Sequence, residues 1–188
     1  MTPDKLNLLI SALDAQGVVF IKGLSDAEII AIEATFDLCF PDDLKAFLQA
    51  ALPVSPSFVN WRAALKSPKI VLDRLSMPLE SLLFDVRKNS FWLNMWGEKP
   101  SLFAEQAHIV TTHYASYPKL IPIYSHRFMP CTPSSAGNPV FSMMGTDIIY
   151  YGTNLYNYLI NEFYLTLEKD NNLTKTIPFW SQLVELNT

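Results

Sequence analysis

Apolar residues at helical spacing dominate the first third of the chain. The earliest set comprises Leu6, Leu9, Ile10 and Leu13. Their spacing of three and four residues predicts a helix over 3–16. Ser25 followed by Glu28 is a capping-box pattern, in which each side chain bonds the other residue's backbone amide, so a second helix is predicted to begin there. Pro41 suits the first turn of a third helix.

The middle of the chain is proline-rich and then helical. "PVSPSFVNW" at 53–61 contains two prolines and predicts an irregular connection. Two helical pieces are predicted over 61–75 and 78–88, separated at Pro78, because an internal proline removes a backbone donor. Another helix is predicted over 101–115.

From residue 120 the pattern changes to short β-prone runs, "LIPIY", "VFSMM" and "DIIYYG". Residues 140–151 predict a hairpin, Asn154 caps a following helix, and "IPFWSQLVEL" predicts a last short one. Helices come first, the sheet late, and no βαβ rhythm occurs. We therefore predict an α+β fold in one domain over 1–188, with a single antiparallel sheet flanked by helices.

Charge is unevenly distributed, although the net value is only −4. Residues 1–59 carry eight acidic and three basic side chains, which either face a basic partner or form a solvated helix surface. No basic run exceeds Arg87-Lys88, which disfavours direct nucleic-acid binding. No stretch of 18 apolar residues and no signal-peptide pattern occurs, which predicts a cytoplasmic protein that does not span a membrane.

Motifs for cofactors and metals are missing from the sequence. The six glycines form no phosphate-binding loop, and Cys39 and Cys131 are too few for a metal knuckle or a disulfide framework. Glu105 and His108 have the spacing of a di-iron ligand pair, but only one copy is present. We predict no cofactor and no metal.

Ser125, His126 and Arg127 interrupt the apolar segment "LIPIYSHRFMP" and are the main candidates for chemistry. If the segment is extended, Ser125 and His126 point to opposite sides and cannot act as a nucleophile and its base. No nucleophile elbow is present either, so we predict that the protein is not an enzyme. Two interpretations of His126 and Arg127 stay open. They form a polar hinge into the following proline-rich loop, bonding backbone carbonyls or a carboxylate such as Asp147, or they bind a ligand.

Aromatic residues beside charged groups are candidates for partner contacts, because Trp and Arg dominate binding energy at protein interfaces. The candidates are Trp61, Arg62, Trp92, Trp96, Tyr150 and Tyr151. Core packing is the alternative use, and we expect it for at least two of the three tryptophans.

Several motifs resemble those of the SUKH superfamily, the Smi/Knr-type domain. "GLSDAEIIAIEATFDLCFPDDLKAFLQ" resembles its opening helices, with matches at Glu28, Glu33, Phe40, Pro41, Leu44, Phe47 and Leu48. "LIPIYSHRFMP" and "GNPVFSMMGTDIIYYGTNLYNYLINEF" are similar to its central strands and final helix. The resemblance covers 20–52 and 118–163. The chain departs from it with Leu52-Pro53-Val54 in place of a glycine-rich turn, and with a helical insertion over 61–116.

The resemblance implies one antiparallel sheet flanked by helices and a protein that binds another protein. Many bacterial relatives are immunity proteins that block toxins, often nucleases. Our leading hypothesis is therefore a non-enzymatic protein-interaction domain, and within it an immunity protein whose partner is a toxin domain. The alternative is an enzyme or small-ligand-binding protein with a pocket around His126, Arg127 and the Tyr150/Tyr151 region.

Overall fold

The structure, a computed structural model that describes residues 1–187, consists of helices and short antiparallel strands. The helices of this part of the chain are α1 Pro3–Ala15, α2 Asp26–Phe36, α3 Asp42–Ala50, α4 Trp61–Ala64, α5 Lys69–Lys88, α6 Phe103–Tyr114, α7 Leu155–Glu162 and α8 Trp180–Leu186. The strands are β1 Phe20–Lys22, β2 Ala51–Pro53, β3 Leu120–Tyr124, β4 Arg127–Pro130, β5 Val140–Met144 and β6 Asp147–Gly152. This confirms the α+β class.

The strands form two sheets, whereas one was predicted. Four of them form an antiparallel meander in the order β3-β4-β5-β6, which is the predicted sheet. In addition, β1 pairs with β2 in a two-stranded sheet, with Ile21 opposite Leu52. The sequence did not reveal β2 because its three residues are all buried and show no alternation.

The four-stranded sheet lies between two hydrophobic cores. Alternate residues point to opposite faces. Ile121 and Met129 therefore pack with α1, α2, α3 and α7, whereas Phe128 and Phe141 pack with α5, α6 and α8. The second core contains Leu82, Val86 and Val110 from the helical insertion over 61–116. The insertion thus covers one face of the sheet.

Three residues that were predicted to lie at helix starts are N-cap residues in the structure. Ser25 Oγ accepts from the Glu28 amide at 3.3 Å, and Glu28 accepts from the Ser25 amide at 2.9 Å, so the capping box of α2 is confirmed. Asn154 Oδ1 accepts from the Asn157 amide at 2.8 Å and caps α7. Pro41 precedes α3 as its N-cap residue.

The predicted break at Pro78 is wrong, because α5 continues through it. Pro78 is buried on the same side of α5 as Val71 and Leu82, and this burial offsets the one backbone bond that proline removes. The chain instead breaks at 65–68, where Pro68 precedes the first turn of α5.

"LIPIYSHRFMP" is a hairpin, whereas a strand entering a loop was predicted. β3 and β4 are joined by a turn at 125–126, with Ser125 at φ +47°. All four residues of β4 are buried, so the alternation that identifies a half-buried strand is missing. His126 and Arg127 therefore lie at a turn within the sheet and not at its junction with the proline-rich loop.

Candidate functional site

Arg127 is the centre of a polar cluster on the α7 side of the sheet. Its Nε donates to Glu162 Oε2 at 2.8 Å and its Nη1 to Ser142 Oγ at 2.7 Å. The guanidinium carbon lies 3.8 Å from the ring centre of Tyr151. A carboxylate is thus among its partners, as one of the two expectations had it, but the carboxylate is Glu162 and not Asp147, which lies exposed at the hairpin tip. Arg127 thus fixes α7 to the sheet.

The ring of His126 lies between Ser125 and Arg127. Its Nδ1 is 3.1 Å from Ser125 Oγ, and its Nε2 contacts Nη1 of Arg127. The side chains of Ser125 and His126 were expected to point to opposite sides, but the turn brings them into contact. A guanidinium can only donate, so Nε2 accepts and the neutral ring carries its proton on Nδ1. Nδ1 therefore donates to the hydroxyl of Ser125. A base that activates a serine nucleophile would have to accept the hydroxyl proton instead.

The electrostatics of the cluster favour a neutral His126. Burial, followed by the positive charge of Arg127, lowers the pKa of His126, while Glu162 opposes the shift. Next to the cluster lies Tyr158, which is fully buried. Burial, reinforced by the charge of Glu162, raises the pKa of Tyr158 far above its usual value. The tyrosine therefore stays protonated at neutral pH.

Tyr150 and Tyr151 do not share a pocket, because adjacent strand residues face opposite sides. Tyr151 stacks on Arg127, whereas the Tyr150 hydroxyl donates to Ser181 Oγ of α8 at 2.6 Å. The Tyr150 ring packs against Phe141 in the second core. The structure thus places His126, Arg127 and Tyr151 together and separates Tyr150 from them.

Trp61 packs in the core, and Arg62, which is half-buried, forms its contacts within the chain. Trp61 is buried, with edge-to-face contacts to Phe36 and Phe40 at centroid distances of 5.8 and 5.0 Å. Arg62 pairs with Glu28 and donates to the carbonyls of Lys22, the last residue of β1, and Gly23 at 2.8 and 2.9 Å. The hydrogen bond from Arg62, followed by that from the Ser25 amide, lowers the pKa of Glu28 to about 2.

The other two tryptophans form an aromatic cluster before α6. Trp96 is buried and its Nε1 donates to the Tyr117 hydroxyl at 2.9 Å. Trp92 is half-buried, packs edge-to-face on Trp96 and donates to the carbonyl of Gly97. The expectation of core packing for at least two tryptophans is confirmed by Trp61 and Trp96.

An exposed apolar stripe runs along α5 and was missed in the sequence. Ile70, Met77 and Phe84 are exposed by 72, 38 and 59%. They follow each other at seven-residue intervals, so they lie on one side of the helix over a rise of about 21 Å. Three apolar residues at heptad spacing are visible in the sequence, but the split of this region at Pro78 into two predicted helices separated Ile70 and Met77 from Phe84.

Met77 and Phe84 of this stripe border a groove of about 750 Å³ between α5 and the β5–β6 hairpin, whereas Ile70 lies two helical turns before Met77 and outside the groove. Met77 and Phe84 form one side, and Met143 and Met144 form the other. The polar lining includes Glu80, Ser81, Asp85 and His126. We call this surface the α5–hairpin groove.

Asp85 fixes the shape of the α5–hairpin groove. Its Oδ2 accepts from the Thr146 amide at 2.6 Å, and its Oδ1 accepts from the Asn89 side chain at 2.5 Å. Gly145 has φ +68°, and a Cβ there would lie 2.8 Å from Asp85 Oδ2. Glycine at this turn therefore lets the hairpin tip approach α5. No sequence pattern indicated this contact, since its members are 61 residues apart.

Half of the eight acidic side chains in residues 1–59 are ion-paired or buried. Glu28, Glu33 and Asp37 form ion pairs with Arg62, Lys45 and Lys119. Asp43 is buried and accepts from the Gly137 amide at 2.9 Å. The acidic first third therefore offers a basic partner less free charge than its composition suggests.

Residues 1–187 contain neither a cluster of metal ligands nor a membrane-spanning helix. No three His, Cys, Asp or Glu side chains of this range lie together as a metal site. Glu105 and His108 are exposed on α6. No helix in the same range is long and apolar enough to cross a membrane.

Comparisons with protein-family models, with curated proteins and with solved structures find no match to this chain. The resemblance to the SUKH superfamily accordingly stands on the motifs quoted above.

Proposed function

We propose that this chain is a non-enzymatic protein-interaction domain, and that the α5–hairpin groove receives an amphipathic helix of another protein. The observation that carries the proposal is the exposed heptad stripe of Ile70, Met77 and Phe84. Heptad spacing is the geometry with which one helix packs along another. Exposed apolar surface of this extent is typical of interaction sites.

The lining of the groove supports a helix as its occupant. Methionines are flexible and polarisable, and they are common where a surface accommodates apolar helix faces. Met77, Met143 and Met144 supply three of them. Glu80 is exposed in the groove, so the partner helix carries a basic residue beside its apolar face.

The SUKH resemblance supports a narrower form of the proposal. On that basis the chain is a cytoplasmic bacterial immunity protein, and the partner helix belongs to a toxin domain. The free charge of residues 1–59 adds little support, because half of those carboxylates are paired or buried.

A binding experiment tests the narrower form. The product of the adjacent gene is co-expressed with the chain, and its affinity is measured calorimetrically for the native chain and for Phe84→Glu. Ile30→Glu is the matched control, because Ile30 is a comparably exposed apolar residue on α2 outside the groove.

We expect Phe84→Glu to weaken binding at least tenfold and Ile30→Glu to leave it unchanged. An equal effect of both variants contradicts binding in the groove. Failure of the neighbouring product to bind contradicts the immunity proposal. Self-association that Phe84→Glu abolishes would identify a second copy as the occupant.

A further inference from the structure

A second cavity of about 230 Å³ lies at the other end of α5. It shares no lining residue with the α5–hairpin groove. Its walls are largely apolar and include Phe58, Val59, Ala64 and Val71. Ser67 and Ile70 are exposed at its rim, so the cavity opens to solvent. We call it the Arg74 pocket, after the single ionisable side chain that lines it.

Arg74 is half-buried and has only neutral partners. Its guanidinium donates to the carbonyls of Ser57, at 3.3 Å, and Ser125. Within residues 1–187 it forms no ion pair, whereas Arg62 and Arg127 each pair with a glutamate. Two carbonyls leave several of the five N–H donors of a guanidinium unused.

The neighbourhood of Arg74 supplies no negative charge. Burial lowers the pKa of Arg74, which reflects the cost of a cation away from water. The nearby Tyr158 hydroxyl stays protonated at neutral pH because its own pKa is raised. A partly desolvated guanidinium beside an apolar cavity therefore lacks a counter-ion.

We propose that the Arg74 pocket binds an apolar monocarboxylate, with its carboxylate on Arg74 and its apolar part between α4 and α5. A guanidinium pairs with a carboxylate through parallel hydrogen bonds, which recognises this anion by shape as well as charge. At about 30 Å³ per non-hydrogen group, the cavity holds roughly eight such groups. The ligand is either a free short-chain acid or the apolar C-terminal residue of a polypeptide.

Titration with hexanoate, which has eight non-hydrogen atoms, tests the proposal. Binding is followed through the methyl resonances of Ala63 and Ala64 in the NMR spectrum of the full chain. Hexan-1-ol tests the need for charge. A tetrapeptide ending in leucine, compared with its C-terminal amide, tests the polypeptide source.

We expect hexanoate to bind at least tenfold more tightly than hexan-1-ol, and Arg74→Gln to remove that preference. Arg74→Gln also loses the hydrogen bonds from Arg74 to the carbonyls of Ser57 and Ser125. Ser67→Leu is therefore a second variant, which narrows the rim of the Arg74 pocket and leaves those hydrogen bonds in place. It is expected to weaken hexanoate binding at least tenfold, while Phe84→Glu in the other groove leaves it unchanged.

Equal binding of acid and alcohol, or unaltered binding by Ser67→Leu, would overturn the proposal, as would no saturable shift at millimolar hexanoate. Tighter binding of the leucine peptide than of hexanoate and of the amide would identify a chain terminus as the ligand. The two proposals fail separately, because the α5–hairpin groove and the Arg74 pocket share no lining residue and Ile70, the stripe residue at the pocket rim, is changed in neither test.

Discussion

Replacing Arg127 with methionine tests whether the polar cluster holds the fold together. The side chains of Arg127 and Glu162 are 10% and 16% exposed. Removing one member of a buried pair leaves the other charged and unpaired, which costs about 3–5 kcal/mol. Because both side chains keep some exposure to solvent, we expect a loss in the free energy of unfolding at the low end of this range, about 3 kcal/mol. For a chain of this length that lowers Tm by about 6–12 °C.

Thermal and urea unfolding, followed by circular dichroism, measure this loss. Arg87→Met is the matched control, because Arg87 is exposed and only stacks on Phe103, and a change within about 0.5 kcal/mol is expected. The double variant Arg127→Met/Glu162→Met should be more stable than Arg127→Met alone, since it removes the orphaned carboxylate. An unchanged Tm in Arg127→Met, together with lost partner or ligand binding, would refute the structural role and make Arg127 a functional residue.

Three further predictions concern the pH dependence of stability and the hairpin tip. Because the pKa of Glu28 is lowered to about 2, its stabilising contribution is present above pH 4.5 and is lost as the pH falls towards 2. Glu28→Gln should flatten the Tm-against-pH curve in that window, and an unaltered curve contradicts the ion pair with Arg62. The pKa of His126 is lowered below 6.5, so the folded state favours the neutral ring and stability declines as the pH falls below 6.5. NMR titration of the ring should give a midpoint below 6.5, and a midpoint above it would contradict a neutral ring whose Nε2 accepts from Arg127. Gly145→Ala should cost about 1–3 kcal/mol, because alanine is strained at positive φ, and a neutral effect by urea unfolding would show that the tip does not approach Asp85.

The sequence predicted the elements that are formed by interactions between residues close together in the chain. The capping box at Ser25 and Glu28 located α2, because both halves of the motif lie within one turn. The spacing of Leu6, Leu9 and Leu13 located α1 for the same reason. Polar residues that follow each other along the chain could likewise be recognised as candidates, as "SHR" was.

Elements that depend on distant contacts could not be predicted. β4 is a strand because it pairs with β3 and β5, although its buried residues show no alternation. Pro78 lies inside α5 because the core covers that side of the helix. Glu162 is 35 residues from Arg127 in sequence, and no pattern along the chain connects them. The sequence therefore predicted the candidate residues of the site but not the residues that they bind.

The exposure of α5 shows the limit of periodicity as a guide. Heptad spacing predicts that residues share one side of a helix, but not whether the protein or a partner covers that side. Val71 and Leu82 face the core, whereas Ile70 and Phe84 face solvent. Only the placement of α5 against the sheet separates the two sets, and the functional proposal depends on that separation.

Site-specific photocrosslinking tests the central claim most directly. A photoreactive phenylalanine analogue is placed at Phe84 in the groove or, as the control, at Ile30 on α2, and cells are irradiated during expression in the native host. The account predicts a discrete heteromeric adduct from position 84 and none from position 30. No adduct at position 84, the same adducts from both positions, or an adduct of twice the mass of this chain would contradict it.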